Sequence, residues 1–228
     1  MRAVVTEKAS VARDLARVLG ADRAVEAGLE GQGWLVTWLN GHVAELAEPG
    51  EMRAEWRRWR LEALPMLPRP IPWRVTSSGR ARFSAVRTAL EDPRVERVVC
   101  ATDAGREGEL IFRVVAELVG LAKPVDRLWI SSLTADAIRG GLAALRPLAT
   151  FDPLGRAALG RAWVDWWVGM NASRALTLTH GEPLTAGRVQ TPTLALVVAR
   201  DRERRDFVPR PFATLVARFR TPEGRTLE

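Results

Sequence analysis

Residues 95–112 read VERVVCATDAGREGELIF, and this stretch decides the architecture. Its first half is an apolar, β-branched run that fits a strand over 95–102, and its second half carries the periodicity of a helix over 107–121. Asp103 falls where the strand ends. Gly105 and Gly108 are expected to permit a tight strand-to-helix turn, with Glu107 in the first helical turn. In parallel α/β sheets ligands bind at the carboxyl edge of the strands, so Asp103 is placed where chemistry is usual. Working outward, RAVVT at the start, WLVTWL at 34–39 and DRLWIS at 126–131 read as further strands. Helices fit 9–19, 80–91 and 134–145, the last with Thr134 as its N-cap. Short apolar runs alternating with helices predict an α/β fold, a Rossmann-like, mostly parallel sheet covered by helices. Between 49 and 74 the pattern breaks into a Pro-, Trp- and Arg-rich stretch, read as a long surface excursion too irregular for a sheet element.

From Asp152 onward the strand signal gives way to a long helix, with Asp152 as N-cap, Pro153 at the first helical position and Gly181 at its stop. A second helix is expected to begin near Gly187 and run through TPTLALVVARDRERR, Pro192 being tolerable in its first turn. The tail, PFATLVARFRTPEGRTLE, alternates like a strand and a turn and is read as stopping without a partner strand. The expected division is 1–150 for the α/β domain, 151–210 for a helical lobe and 211–228 for the start of a further domain.

The chain has 228 residues, 47% of them hydrophobic, which suffices for a full core and a smaller attached lobe. Its 34 Lys and Arg against 27 Asp and Glu give a charge of +7, a balance that favours a polyanionic partner. No run reaches the length of a membrane span, and charged Arg2, Glu7 and Lys8 stand where a signal peptide needs an apolar stretch. A cytoplasmic protein is expected. The single cysteine, Cys100, sits in an apolar run and reads as a buried small side chain. Lysine occurs only as Lys8 and Lys123. Tyrosine is absent, so no mechanism that needs a tyrosyl nucleophile can run in these residues alone.

The first strand delivers Glu7 and Lys8 to the same sheet edge as Asp103, so Glu7, Asp103 and Glu107 could converge. Hard oxygen ligands of this kind suit Mg²⁺, and His42 and His180 as the only histidines speak against a zinc site. An isolated DxxxE is more often a solvated turn and helix start, where acids favour the helix dipole. The complete string tips the reading. ATDAGREGELIF closely resembles the metal-binding motif of Toprim domains, and TEKAS matches the Glu-Lys motif on the first strand of that fold.

The resemblance extends to the type IA DNA topoisomerases of the topoisomerase III group, through NGHVAELAEP, the Trp- and Pro-rich excursion, SGRARFSAV, RLWISSLT, DWWVGMNASRALT and TAGRVQTPTLALVVARD. It implies an enzyme whose tyrosine attacks a DNA phosphodiester, holds the broken end covalently, lets another strand pass and reseals. Mg²⁺ on Glu7, Asp103 and Glu107, a proton shuttle at Glu7 and a phosphate contact from Lys8 would support that transesterification. The family's tyrosine lies in a later domain. The expectation is therefore an N-terminal portion, inactive by itself, whose tyrosine comes from outside these residues, such as from a second polypeptide. Toprim motifs commonly read DxD, and Gly105 replaces the second acid here. Single-stranded or underwound DNA is the implied partner. Trp59, Trp166 and Arg174 are assigned to it, together with Thr185, Ala186, Gly187, Arg188, Val189 and Gln190, whose backbone amides and side chains at a helix start suit phosphate. Trp166, Met170 and Arg174 share one helix face. His42 either orders a turn near the metal edge or contacts DNA. A bacterial, nucleoid-associated location follows from the resemblance. The competing expectation is a non-catalytic single-stranded DNA-binding Toprim module; the helical lobe argues against a nuclease or primase.

Overall fold

The run RAVVT forms β1 (Arg2–Thr6) and leads into α1 (Ala9–Leu19). Then come β2 (Arg23–Val25), β3 (Gly28–Gly31), β4 (Trp34–Trp38), β5 (Ala44–Leu46), α2 (Pro49–Met52), β6 (Trp73–Val75) and α3 (Arg80–Glu91). Next are β7 (Arg97–Ala101), α4 (Arg106–Val119), β8 (Val125–Arg127), α5 (Ala135–Ala143), β9 (Arg146–Pro147) and α6 (Asp152–His180). A computed structural model describes residues 1–227, grouped as two units, Met1–Gly187 and Arg188–Glu228.

Seven strands form one sheet in the order β2-β3-β4-β1-β7-β8-β9. The four central strands are parallel, and antiparallel partners close both edges. Val4 lies in register with Val36 and Val99, and Val5 with Thr37 and Cys100. Because successive side chains alternate faces, β1 feeds two cores. Ala3 and Val5 join Leu35, Val98, Phe112, Val86 and Leu90 under α3 and α4. Val4 joins Val36, Val99, Leu15, Leu128 and Ile138 under α1 and α5. Helices on both faces explain why the central strands read as unbroken apolar runs. α1 and α3 fall at the expected bounds and α4 and α5 within two residues of them, while β8 ends at Arg127, short of the strand expected over 126–131.

Three expectations are corrected. The stretch 49–74 runs mostly over the surface, but it is anchored: Trp56, Met66 and Ile71 are buried, and they pack with Trp166 of α6 in a small core of their own. Its end is also a sheet element, β6, paired antiparallel with β5. Isolated apolar residues between turns carry no period, so their burial against another element leaves no signal in the stretch itself. Asp152 is not the N-cap of α6. A 3₁₀ turn over Leu148–Phe151 runs straight into the helix, the cap position falls on Phe151, and the Asp152 carboxylate instead meets Arg113 Nη1 at 2.9 Å. Gly181 does stop the helix.

The unit Arg188–Glu228 contains α7 (Gln190–Arg205), which has Pro192 in its first turn, and a hairpin of β10 (Phe219–Arg220) and β11 (Thr226–Leu227). The tail strand thus has a partner in its own hairpin, two residues long and too short to show alternation. Contacts keep α6 with the sheet up to Gly187. No helix of the described residues is long and apolar enough to cross a membrane.

Candidate metal and nucleic-acid site

β1 and β7 end side by side, and their carboxyl ends carry the site. After β1 come Glu7 and Lys8, held by a hydrogen bond from Thr6 Oγ1 to Lys8 O (3.0 Å) and one from Gly41 N to Glu7 O (3.0 Å). After β7, Thr102 Oγ1 donates to Gly108 O at 2.7 Å and closes the turn that presents Asp103. Gly108 is required there: a Cβ would lie 2.2 Å from Asp103 O. Gly105 is not required by its backbone, which is extended, and a Cβ on it would meet nothing within 4 Å. The turn therefore needs one of the two glycines, not both.

Lys8 Nζ donates to Asp103 Oδ2 at 2.8 Å, with both side chains about half exposed. The hydrogen bond and charge of Asp103, joined by the charge of Glu7, hold the Lys8 ammonium above its ordinary value. Glu107 has other partners. Its carboxylate stands 3.5 Å from Arg161 Nη1 and 3.8 Å from His42 Nε2, and Arg161 reaches on to Asp165 at 3.5 Å. His42 is brought there by a tight turn in which Asn40 and Gly41 both take left-handed backbone. Glu7, Asp103 and Glu107 occupy one sheet edge, yet among the described residues no three acids, histidines or cysteines are gathered closely enough to hold a metal ion. Each of Asp103 and Glu107 has turned to a cation instead.

The donor set nevertheless suits a hard divalent cation. Its atoms are carboxylate oxygens, Asp103 already holds a cation in the form of the Lys8 ammonium, and the space beside Gly105 is open. Glu7, Asp103 and Glu107 are the residues that could hold it.

Beneath the site lies a buried polar anchor that sequence reasoning missed. Arg127, wholly buried, donates through Nη2 to Asp103 O (2.8 Å), through Nη1 to Thr102 O (2.8 Å), Cys100 O (3.1 Å) and Leu128 O (2.7 Å), and through Nε to Glu109 Oε2 (3.1 Å). Glu109, also wholly buried, takes Arg113 Nε at 2.8 Å, and Arg113 continues to Asp152 and to Leu148 O. The backbone of the Asp103 turn is thus tied to the start of α6. An arginine inside the apolar string RLWI and a glutamate inside ELIF were the available signals, since buried charges need partners.

A cleft of about 610 Å³ opens beside Glu107, lined by His42, Glu45, Arg161, Asp165, Trp166 and Met170. Trp59 stands on the surface, 47% exposed, with Arg57, Arg58 and Arg60 exposed around it and the Arg174 guanidinium 5.0 Å behind its ring. Trp166 and Arg174 are placed otherwise than expected. Both are buried; Trp166 Nε1 donates to Ala47 O at 3.1 Å, and Arg174 Nη1 donates to Trp56 O at 2.8 Å. Their shared helix face clamps the excursion, so both are largely enclosed, and of the two it is Trp166 that still lines the cleft. Burial lowers the Arg174 guanidinium below its ordinary value, and its Nε is buried without a partner. Asn171 holds the same segment by accepting from Met66 N (2.6 Å) and donating to Met66 O (2.9 Å).

Of the expected phosphate seat, Thr185, Ala186 and Gly187 close the first unit. Ser173 Oγ latches Ala186 through both its N–H (3.0 Å) and its carbonyl (3.2 Å), and Thr177 does the same for Leu184. Arg188, Val189 and Gln190 open the second unit and are exposed, with Val189, whose side chain makes no cap hydrogen bond, at the cap of α7.

Compared with known families, residues 2–133 match the Toprim domain and residues 150–227 match the DNA topoisomerase domain. DNA topoisomerase 3 of Shouchella clausii is 46% identical over 214 residues, 94% of this chain and 29% of that protein. The enzymes of the same name from Bacillus cereus and Bacillus subtilis are 45% and 44% identical, over 90% and 92% of this chain and 28% and 29% of their own length. The chain thus spans less than a third of these relatives. Topoisomerase I of Thermotoga maritima superimposes with a TM-score of 0.62 at 23% identity, over 91% of this chain and 31% of that one, a likeness of fold.

Proposed function

The chain belongs to the Toprim family and, by family, to the type IA topoisomerases of the topoisomerase III kind; from this premise we propose that it is the N-terminal portion of an enzyme that cuts one DNA strand, passes another and reseals, with the tyrosine supplied from outside these residues. The observation that carries the reading is the meeting of Lys8 and Asp103 at 2.8 Å where β1 and β7 end, beside the cleft that runs from Glu107 to Met170.

In this reading single-stranded or underwound DNA lies along the cleft. Arg161 and His42, which already face a carboxylate, turn to phosphate, and Lys8 donates to the scissile phosphate. Glu7, with its carboxylate beside the departing sugar oxygen, moves a proton to or from it. Mg²⁺ held by Glu7, Asp103 and Glu107 would supply neutralisation of phosphate charge. Arg127 keeps the Asp103 carbonyl, and with it the acid, in place. Exposed Trp59 stacks on a base and its arginine neighbours take flanking phosphates, while Arg188 and Gln190 at the start of α7 offer a further phosphate contact. The location is the bacterial nucleoid.

The test is a denaturing gel of end-labelled single-stranded DNA incubated with Mg²⁺ and the chain, alone and with a polypeptide carrying the family's tyrosine domain. A covalent adduct is expected only with both. An adduct from the chain alone would point to another nucleophile, since there is no tyrosine among the 228 residues. DNA binding with no adduct under either condition would favour the second reading, a non-catalytic single-stranded DNA-binding module, to which exposed Trp59 also lends itself.

A further inference from the structure

We propose that the Lys8 ammonium is the resident counter-cation of Asp103, and that a divalent cation and a DNA phosphate enter the site together because each takes one member of that pair. The inference rests on the metal-and-phosphate reading above and assigns Lys8 a second task, that of coupling the two ligands.

The geometry supports an exchange. The two backbones are fixed: Lys8 O accepts Thr6 Oγ1 at 3.0 Å, and Asp103 O accepts Arg127 Nη2 at 2.8 Å. The side chains are not buried, at 55% and 50% exposure, so they can separate without disturbing the core. An exposed ion pair of this kind is held weakly. Lysine also holds Asp103 as a single point charge on a flexible stem, where arginine would grip the carboxylate with a planar fork. Only two of the 34 basic residues are lysines, and one stands here.

Charge decides the direction. With Lys8 on Asp103 and Arg161 facing Glu107, the charge of two of the three acids is already offset, and Glu7 is the main negative charge left to attract a metal ion. Gly105 supplies no second acid to make up the deficit. A phosphate that draws Lys8 away uncovers Asp103 beside Glu7. A metal that takes Asp103 releases Lys8 toward phosphate. Such linkage is reciprocal, and each ligand is expected to tighten the other by about tenfold, within the range usual for coupled sites.

The experiment uses the full chain labelled with ¹⁵N-lysine, which gives two ammonium signals in an NMR spectrum. Lys123, whose Nζ donates to Asp92 O at 2.6 Å away from the site, is the internal reference. Titration with MgCl₂ should move the Lys8 signal and leave that of Lys123. By calorimetry, saturating oligothymidylate should raise the Mg²⁺ affinity of the parent about tenfold. Lys8→Gln should bind Mg²⁺ about tenfold more tightly than the parent without DNA and lose the DNA enhancement, whereas Lys8→Arg should not gain affinity. A Lys8 signal unmoved by Mg²⁺, or Lys8→Gln binding no tighter than the parent, overturns the exchange. Asp103→Asn separates the two readings. If Asp103→Asn binds Mg²⁺ as the parent does, the metal reading itself fails and the exchange with it; if that variant loses Mg²⁺ while Lys8→Gln is unchanged, only the exchange fails.

Discussion

Replacing Arg127 by leucine removes the guanidinium that anchors the site from below. The residue is wholly buried and its N–H groups serve Glu109 and four backbone carbonyls. Cys100 O keeps Leu128 N and Asp103 O keeps Gly105 N as donors, and Glu109 Oε1 keeps Arg113. What remains uncompensated are the carbonyls of Thr102 and Leu128 and, most costly of all, Glu109 Oε2, a carboxylate oxygen at 0% exposure. Removing one partner of a buried ion pair costs about 3–5 kcal/mol, a large share of the roughly 5–15 kcal/mol that holds an ordinary domain together. Urea unfolding followed through the tryptophans should show a midpoint shift of that size with little change in slope. The double substitution Arg127→Leu with Glu109→Leu should recover about 2 kcal/mol, because the stranded charge goes with it. A loss below about 1 kcal/mol in the single variant, or no recovery in the double, would refute the assignment of the pair as a buried anchor.

Gly105→Asp should fold as the parent does, since its Cβ meets open space, and should bind Mg²⁺ more tightly in calorimetry by adding an acid beside Asp103; unchanged affinity would show that position 105 does not face the metal. Trp59→Ala should weaken binding of single-stranded DNA by about 1–3 kcal/mol and leave the melting temperature near that of the parent, whereas Trp166→Ala, at 7% exposure, should cost about 3–5 kcal/mol of stability; the reverse pattern would exchange their roles. DNA affinity should fall steeply with salt in a filter-binding series, as counterion release requires, and a flat series would count against an electrostatic DNA path. Burial pushes the Cys100 thiol up from its ordinary value. The unfolded chain therefore loses that proton first, and stability should decline as pH rises above about 9, an ordinary thiol value. Cys100→Ala should remove this part of the decline, and identical alkaline profiles would show that the thiol contributes none of it.

The central sheet was legible because burial on both faces turns β1, β4 and β7 into unbroken apolar runs, and their ends then locate Glu7, Lys8 and Asp103 without further help. Helix spacing also grouped Trp166, Met170 and Arg174 correctly on one face. What that face meets could not be read from the helix, because the answer lies in Trp56, Met66 and Ile71, more than ninety residues earlier and spaced by turns. The Arg127–Glu109 pair was hidden for a related reason: strand and helix contribute one member each, and neither string alone shows that its charge points inward. Glu107 was placed in the right turn, but its direction depends on Arg161 and His42, which come from two other parts of the chain.

The middle position of β1 carries a consequence for synthesis. β1 is made before either of its neighbours, β4 and β7, the second of which ends at Ala101. At about 5–20 residues per second, several seconds pass before its second neighbour exists, and over that interval one side of the strand lacks its hydrogen-bonding partner. The Lys8–Asp103 contact spans 95 residues of sequence, so it can close only after that wait. The site is then a late product of folding, assembled when the nascent chain has finished the centre of its sheet.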